Sequence, residues 1–345
     1  MTKSRMRIGI LSAGGDCPGI NAAIRGVGKT AIVEYGMEVI GISNGFTGLV
    51  NKEIIPLNEN VLSGILTLGG TILGTSRMKP FKIEEGDTVA DKPSVIIQNY
   101  KELELDALVC IGGNGTQKTA NLLSQQGLNI IGIPKTIDND VWGTDVTFGF
   151  RTAVNIASDA IDRLHTTANS HKRVMVIEVM GHTAGWLALY SGMASGGDII
   201  LIPEIEYSLD SVAHTLIERN HKGKPYSIVV VAEGIAHSSK KSAGAYIAKK
   251  ITKLTGLETR ETILGYIQRG GSPSPDDRIL ATRYGAQAAE LIHNQQFGRM
   301  VSLQGNTITS VPLSEVGGMI RLVNPDHHLI TEGRHMGVSF GEPIM

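Results

Sequence analysis

The chain has 345 residues and a formal net charge of -1, with 41% hydrophobic residues and 42 glycines, so it can bury more than one core. Near-neutral charge excludes a global field for nucleic acid or an acidic membrane, and an anionic ligand must then be held by local cations in a pocket. Two isolated cysteines, Cys17 and Cys110, exclude a disulfide framework and point to a reducing compartment, read as the cytoplasm.

The first apolar run predicts a strand at Arg7 to Leu11, too short for a secretory leader. It ends in Ser12-Ala13-Gly14-Gly15-Asp16-Cys17-Pro18-Gly19 and opens a helix over Gly19 to Tyr35. Such a turn offers bare amides and a helix dipole to a phosphate, and by itself it is equally an ordinary tight turn. Gly28-Lys29-Thr30 mimics the end of a Walker A loop, but Ala23 stands where its first glycine belongs, and the segment reads as helix.

Strands follow at Val39 to Ile42 and Ala107 to Ile111. The second runs into Gly112-Gly113-Asn114-Gly115-Thr116 and a helix over Thr116 to Gln126. Lys118 occupies the third glycine position of a dinucleotide motif, so a nicotinamide cofactor is disfavoured. Two phosphate-type turns in one chain favour a polyphosphate ligand.

A strand at Ile130 to Ile133 delivers Pro134-Lys135-Thr136-Ile137-Asp138-Asn139-Asp140, which packs a cation, a hydroxyl and two carboxylates together. One carboxylate can serve magnesium while the other takes a proton from an attacking hydroxyl; an isolated Asp-Asn-Asp would be a solvated turn. Helices at Phe150 to Thr167, Thr183 to Ser195 and Leu209 to Asn220 alternate with strands at Val174 to Val179, Ile199 to Ile202 and Ile228 to Val231. No apolar run nears the ~18 residues of a membrane span. Glu258-Thr259-Arg260 and Gly265-Tyr266-Ile267-Gln268-Arg269-Gly270-Gly271-Ser272-Pro273 then precede a helix over Pro275 to His293. Arg260 and Arg269, with Arg173, offer forked donors to a sugar phosphate, although any one arginine is more often a surface ion pair. The alternation predicts an α/β fold with mainly parallel sheets flanked by helices, with boundaries in loops near Val146 to Phe150 and Gly265 to Gly270.

In this order, Gly-Gly-Asp-Cys-Pro-Gly, Pro-Lys-Thr-Ile-Asp-Asn-Asp, Val-Met-Gly and Ile-Gln-Arg-Gly-Gly resemble the phosphofructokinases, from Gly14 to about Gly298. The resemblance implies two Rossmann-like lobes with the active site in the cleft between them. A phosphoryl-donor lobe would span 1–149 plus about 268–318, and a fructose 6-phosphate lobe 150–267 plus about 319–345. Asp138 is then the general base toward the sugar 1-hydroxyl, Thr136 steadies the transferring phosphoryl, and Asp140 acts beside Mg2+ with Asn114. Gly15, Arg77, Met78, Gly113, Asn114, Gly115 and Thr116 would meet the donor. Fructose 6-phosphate would meet Thr136, Asp138, Met180, Gly181, His182, Glu233, Tyr266 and Arg269, with Arg173 and Arg260 reaching in from a neighbouring subunit. A homo-oligomer, dimer or tetramer, follows.

Departures from the family pattern sharpen the expectations. Asn114 stands where an aspartate is usual, which predicts weaker magnesium binding. His182 replaces an arginine and Tyr266 a histidine, leaving Lys135 to balance phosphate charge. Gly115 resembles the ATP-dependent form, since an aspartate there would repel the nucleotide, whereas Lys135 resembles the pyrophosphate-dependent form. ATP is the favoured donor, because a missing block admits the nucleotide and an added lysine does not exclude it. Arg25 and Lys29 keep basic character at positions of effector binding in bacterial relatives, while Glu53 and His165 replace arginines, predicting weak or absent control of that kind. Two alternatives carry less. NAD and lipid kinases share the Gly-Gly-x-Gly-Thr turn but not the Ile267 to Gly271 block, and a silent sugar-phosphate sensor would not need Asp138 and Asp140.

Overall fold

The computed structural model describes residues 5–82 and 91–343. Its elements run β1 (Arg7–Ser12), α1 (Ile20–Val33), β2 (Glu38–Ile42), α2 (Gly45–Asn51), β3 (Ile54–Pro56), α3 (Lys92–Glu102), β4 (Ala107–Gly112) and α4 (Asn114–Gln125). Then come β5 (Ile130–Thr136), β6 (Phe148–Gly149), α5 (Phe150–His171), β7 (Val174–Val179), α6 (Trp186–Ala194), β8 (Ile199–Leu201), α7 (Leu209–His221) and β9 (Ser227–Ala232). The last are α8 (Ala243–Thr255), β10 (Thr259–Ile263), α9 (Pro275–His293), β11 (Arg299–Gln304), β12 (Thr307–Pro312), α10 (Leu313–Val316) and α11 (His328–His335).

The chain divides into two compact units. The first holds Met1–Thr136, Asp140–Arg151 and Arg269–Ile320; the second holds Ile137–Asn139, Thr152–Gln268 and Arg321–Met345. Relative to the expected lobes, residues 137–139 and Gln268 group with the second unit, and 150–151 and 319–320 with the first. Of the expected lobe ranges, residues 1–4, 83–90 and 344–345 lie outside the described residues.

The first unit is built on an eight-stranded sheet of order β12-β11-β5-β4-β1-β2-β3, with β6 added on β5. Both edges are antiparallel, β2 with β3 and β11 with β12, while the interior pairs are parallel. Strands β1 and β4 read as near-continuous apolar runs because helices cover both faces of a parallel sheet. On one face Leu11, Ile42, Phe46, Leu108 and Ile130 share a buried cluster, each large apolar side chain contributing about 1.5–3 kcal/mol. Helices α1 and α9 approach at backbone distance, since a Cβ on Gly26 would meet Thr282 O at 2.7 Å and one on Gly285 would meet Ala23 O at 2.6 Å. A glycine inside a helix costs about 1 kcal/mol in propensity, and here close packing of two helices offsets it.

The second unit carries an all-parallel four-stranded sheet of order β10-β7-β9-β8. Strands β7 and β9 are buried along their whole length. Ser208 and Ser242 fix the starts of α7 and α8 by accepting from Ser211 N and Ala245 N. One strand and one helix run past their sequence patterns for physical reasons. The predicted Ile130 to Ile133 strand extends to Thr136 because β6 pairs with Lys135 and Thr136. The predicted Thr116 helix start moves to Asn114, with Gln117 N donating to Gly113 O at 3.0 Å. Among the described residues no helix is long and apolar enough to cross a membrane.

Candidate active site

In the first sheet β1 pairs β2 on one side and β4 on the other, so chain order reverses beside β1. Open α/β sheets bind ligands at the carboxyl ends of the strands at such a switch point. Here those ends are Ser12 and Gly112, and the loops leaving them are the two glycine turns. Backbone and hydroxyl bonds fix the first loop: Gly14 N donates to Ser76 O (2.9 Å), Thr75 Oγ1 to Gly14 O (2.7 Å) and Thr116 Oγ1 to Ala13 O (3.3 Å). The Gly14 bond also anchors the backbone just before Arg77, whose side chain is exposed. Met78 instead packs against the apolar cluster of the sheet.

Two cations converge on Gly15. Lys135, nearly fully buried, donates its Nζ to Gly15 O. The Arg269 guanidinium fills the space where a Gly15 side chain would stand, its Nη1 2.2 Å from an ideal Cβ. The resemblance assigned Arg269 to the sugar phosphate; within the first unit its guanidinium stands against the Gly14–Gly15 loop.

Helix α4 starts at Asn114 with Gly113 as its N-cap and no side-chain cap, leaving first-turn amides for an anion. A Cβ on Gly115 would meet nothing within 4 Å, so the fold itself does not require glycine there. Asn114 Nδ2 donates to Asp140 Oδ2 at 2.7 Å and to Asp140 O at 3.1 Å. Both partners are acceptors, so the amide must face them with its NH2 group. Its Oδ1 is thereby left buried with no hydrogen-bond partner among the described residues. One carboxylate and one orphaned amide oxygen fit magnesium, which binds through one or two protein ligands and completes its shell with phosphate oxygens and water. No cluster of three or more His, Cys, Asp or Glu that could hold a metal occurs among the described residues.

In the second unit the candidates again leave carboxyl ends of adjacent strands. Val179 of β7 pairs with Ala232 of β9, so Met180-Gly181-His182 and Glu233 emerge side by side. His182 N donates to Glu233 Oε1 at 2.8 Å, and His182 takes a left-handed φ of 53°. Met180 N donates to Gln268 Oε1 at 3.3 Å, while Gln268 Nε2 donates to Gly265 O at 3.0 Å. Fully buried Gln268 thus ties the Met180 turn to the segment carrying Tyr266, which is 72% exposed. Asp138 groups with this unit, next to buried, left-handed Asn139 (φ 53°).

Arg173 and Arg260 are not brought to this place. Arg173 directly precedes β7, and Arg260 lies in register with Met175, both at the amino end of the strand whose carboxyl end leads to Met180. Six strand residues span about 20 Å, beyond what the side chains can bridge within one chain. Instead Glu258 bonds both, 2.9 Å to Arg173 and 2.8 Å to Arg260. The Arg173 bond holds the Glu258 carboxyl below the usual carboxylate range; burial opposes it, and smaller Coulombic attractions from Arg173, Arg260 and His171 add to the lowering.

Both cysteines are buried and free, and burial pushes their thiols up, out of the reactive range. Two positions weighed for effector binding are engaged internally. Glu53 accepts from Asn44 and Asn51 at 3.0 and 3.1 Å, and His165 contacts Tyr226 Oη and Ser195 O at 3.1 and 2.7 Å.

The phosphofructokinase family model matches residues 7–292. The chain belongs to the phosphofructokinase family. It is 64% identical over 338 residues to "ATP-dependent 6-phosphofructokinase 3" of Bacteroides thetaiotaomicron, covering 97% of this chain and 100% of the relative. With "ATP-dependent 6-phosphofructokinase" of Spirochaeta thermophila it shares 55% over 357 residues, covering 97% of this chain and 98% of that one. The solved phosphofructokinase of Saccharomyces cerevisiae superposes with a TM-score of 0.82 at 31% identity, over 90% of this chain and 45% of the yeast chain. The family's fold is therefore the one described above. Two residues that sequence patterns did not single out hold its loops in place. Gln268 sat inside a quoted motif without a role, and Asn21, buried in α1, binds Leu68 O, Gly69 O and Ile72 N (3.1, 3.2 and 2.8 Å). The only sequence signal for Asn21 is a polar residue within an otherwise apolar stretch of helix.

Proposed function

We propose that this chain is an ATP-dependent 6-phosphofructokinase of cytoplasmic glycolysis. It transfers the γ-phosphoryl of ATP to the 1-hydroxyl of fructose 6-phosphate, giving fructose 1,6-bisphosphate and ADP. The observation that carries this reading is 64% identity, along the full length of the relative, to a protein named as that enzyme. Phosphoryl transfer demands positioning and charge neutralisation more than covalent chemistry, and the residues suit that demand. The amides at the start of α4, the Gly15 loop, Arg77, Lys135 and Arg269 receive the donor phosphates. Asp138 accepts the proton of the sugar hydroxyl, and Thr136 steadies the phosphoryl in transit. Met180, His182, Glu233 and Tyr266 orient the sugar. Magnesium would be held by Asn114 Oδ1 and Asp140 and would neutralise phosphate charge.

A homo-oligomer completes the sugar-phosphate site in this reading. What supports it is the strand geometry: Arg173 and Arg260 sit about 20 Å from Met180 on their own chain and must serve a neighbour's substrate if they serve one at all. Weak or absent effector control accords with the internal engagement of Glu53 and His165.

A pyrophosphate-dependent reaction is the second reading, favoured by the Lys135 ammonium beside Gly15. The test is steady-state formation of fructose 1,6-bisphosphate with magnesium and either ATP or pyrophosphate, in wild type and Gly115→Asp. A higher kcat/KM with ATP is expected, falling at least ~10-fold in Gly115→Asp with an unchanged melting temperature, since the added side chain meets open space and repels phosphate. A higher kcat/KM with pyrophosphate would move the assignment to that donor. Absence of turnover with both would favour a sugar-phosphate sensor.

A further inference from the structure

The second unit contains a frame of side chains that ends on the Asp138–Asn139 turn and that none of the roles above uses. The Arg321 guanidinium carbon lies 4.0 Å from the centroid of the Trp186 ring, and Trp186 Nε1 donates back to Arg321 O at 2.9 Å. A single carboxylate locks the flanks of this pair. Glu204 Oε1 accepts from Gly185 N and from Val323 N, both at 2.9 Å, and Oε2 accepts a second bond from Gly185 N at 3.1 Å. Trp186 is buried, and the His327 ring closes on it edge-on at 5.3 Å. From this frame Arg321 Nη1 donates to Asn139 O at 3.2 Å. Asn139 is buried and left-handed, a conformation that persists only where the surroundings enforce it.

We infer that Arg321, clamped on Trp186, is a positioning residue for phosphoryl transfer: it holds the Asn139 carbonyl and so fixes the carboxylate of the preceding Asp138 toward the sugar hydroxyl. This deepens the proposed function and rests on Asp138 acting as the general base. Stacking on an aromatic face removes most of the freedom of a long side chain, so the guanidinium reaches Asn139 in one orientation. Misplacing a reacting group by about 1 Å can cost on the order of 100-fold in rate, which sets the scale expected of the clamp.

The experiment is steady-state kinetics on wild type, Asp138→Asn, Arg321→Ala, Trp186→Phe and the Asp138→Asn/Arg321→Ala double variant, with ATP, fructose 6-phosphate and magnesium. Arg321→Ala is expected to lower kcat about 10–100-fold while KM for either substrate moves less than about threefold, and guanidinium ion added to the assay should restore part of the loss. Trp186→Phe keeps an aromatic face but loses the bond to Arg321 O, and should lower kcat about 3–10-fold. That variant decides the matter if Arg321→Ala does not fold. The double variant should be no slower than Asp138→Asn alone, because the clamp acts through Asp138. Unchanged kcat in Arg321→Ala, or in a folded Trp186→Phe where Arg321→Ala does not fold, a loss confined to KM, or additive losses in the double variant would each overturn the inference. With wild type active and Asp138→Asn impaired, those outcomes leave the proposed function standing. Wild type that forms no product, or Asp138→Asn at the wild-type rate, overturns the general-base reading and the inference with it.

Discussion

The two units present their candidate residues in the same way, on loops leaving the carboxyl ends of adjacent parallel strands, but they fix those loops by different means. In the first unit the Gly14 loop is held chiefly by backbone and hydroxyl bonds to Ser76 O, Thr75 and Thr116, and its candidate surface is amides with two cations set against Gly15. In the second unit long side chains do the holding. Glu233 carries His182, Gln268 carries Met180 and Glu204 carries Gly185. A surface made of backbone needs the absence of side chains, whereas a surface hung on side-chain staples needs their presence. The first should therefore be broken by adding atoms and the second by removing polar ones.

The largest effect is expected from adding a single carbon at Gly15. A Cβ there would lie 2.2 Å from Arg269 Nη1, the far end of a flexible side chain, so the fold accommodates it by moving the guanidinium. Gly15→Ala should keep its melting temperature within a few degrees yet lose on the order of 100-fold in kcat/KM for the donor. Stability by thermal melting and activity by steady-state kinetics separate the two. Activity within threefold of wild type would mean that the position of Arg269 against the loop is not needed for turnover.

The matching subtraction in the second unit is Gln268→Leu. It leaves Met180 N and Gly265 O without the partner that now serves them, at about 1–3 kcal/mol for each buried polar group stranded. A melting temperature lower by several degrees is expected, together with a KM for fructose 6-phosphate raised about 10-fold and a KM for ATP unchanged. An effect on both substrates alike would break the contrast between the units.

How much of this was legible in the sequence follows from which interactions are local. Apolar runs such as Val174–Val179 and Ser/Pro helix starts such as Ser274-Pro275 declare themselves within a few residues, and both elements lie where the pattern puts them. Helix α8, whose lysines and threonines lie only in its second half, and the edge strand β10, half exposed, are not among the elements read from the sequence. The glycine turns and the Lys135 to Asp140 segment were legible as chemistry, because their residue types have few other uses in that spacing. Gln268 and Arg321 were not, since their partners lie 88 and 182 positions away in sequence. The orphaned Asn114 Oδ1 was invisible for the same reason: only the fold brings Asp140 to the other side of the amide.

The smallest effect tests a side-chain staple of the second unit that stands at the opposite strand ends, Glu258 between Arg173 and Arg260. Its carboxyl is held below the usual range by Arg173 first, so the folded state binds a proton less readily than the unfolded chain. The contribution to stability is therefore fully present above the unfolded carboxylate value, about 4.3, and is lost as pH falls through the lower folded value. Glu258 is largely solvated, so Glu258→Gln should lower the melting temperature only slightly at pH 7, and the difference should close below about pH 4. Melting curves for both proteins across that range check the sign. A gap that widened toward acid would mean that Glu258 is not acting as the carboxylate partner of the two arginines, and that they are held apart from it in solution.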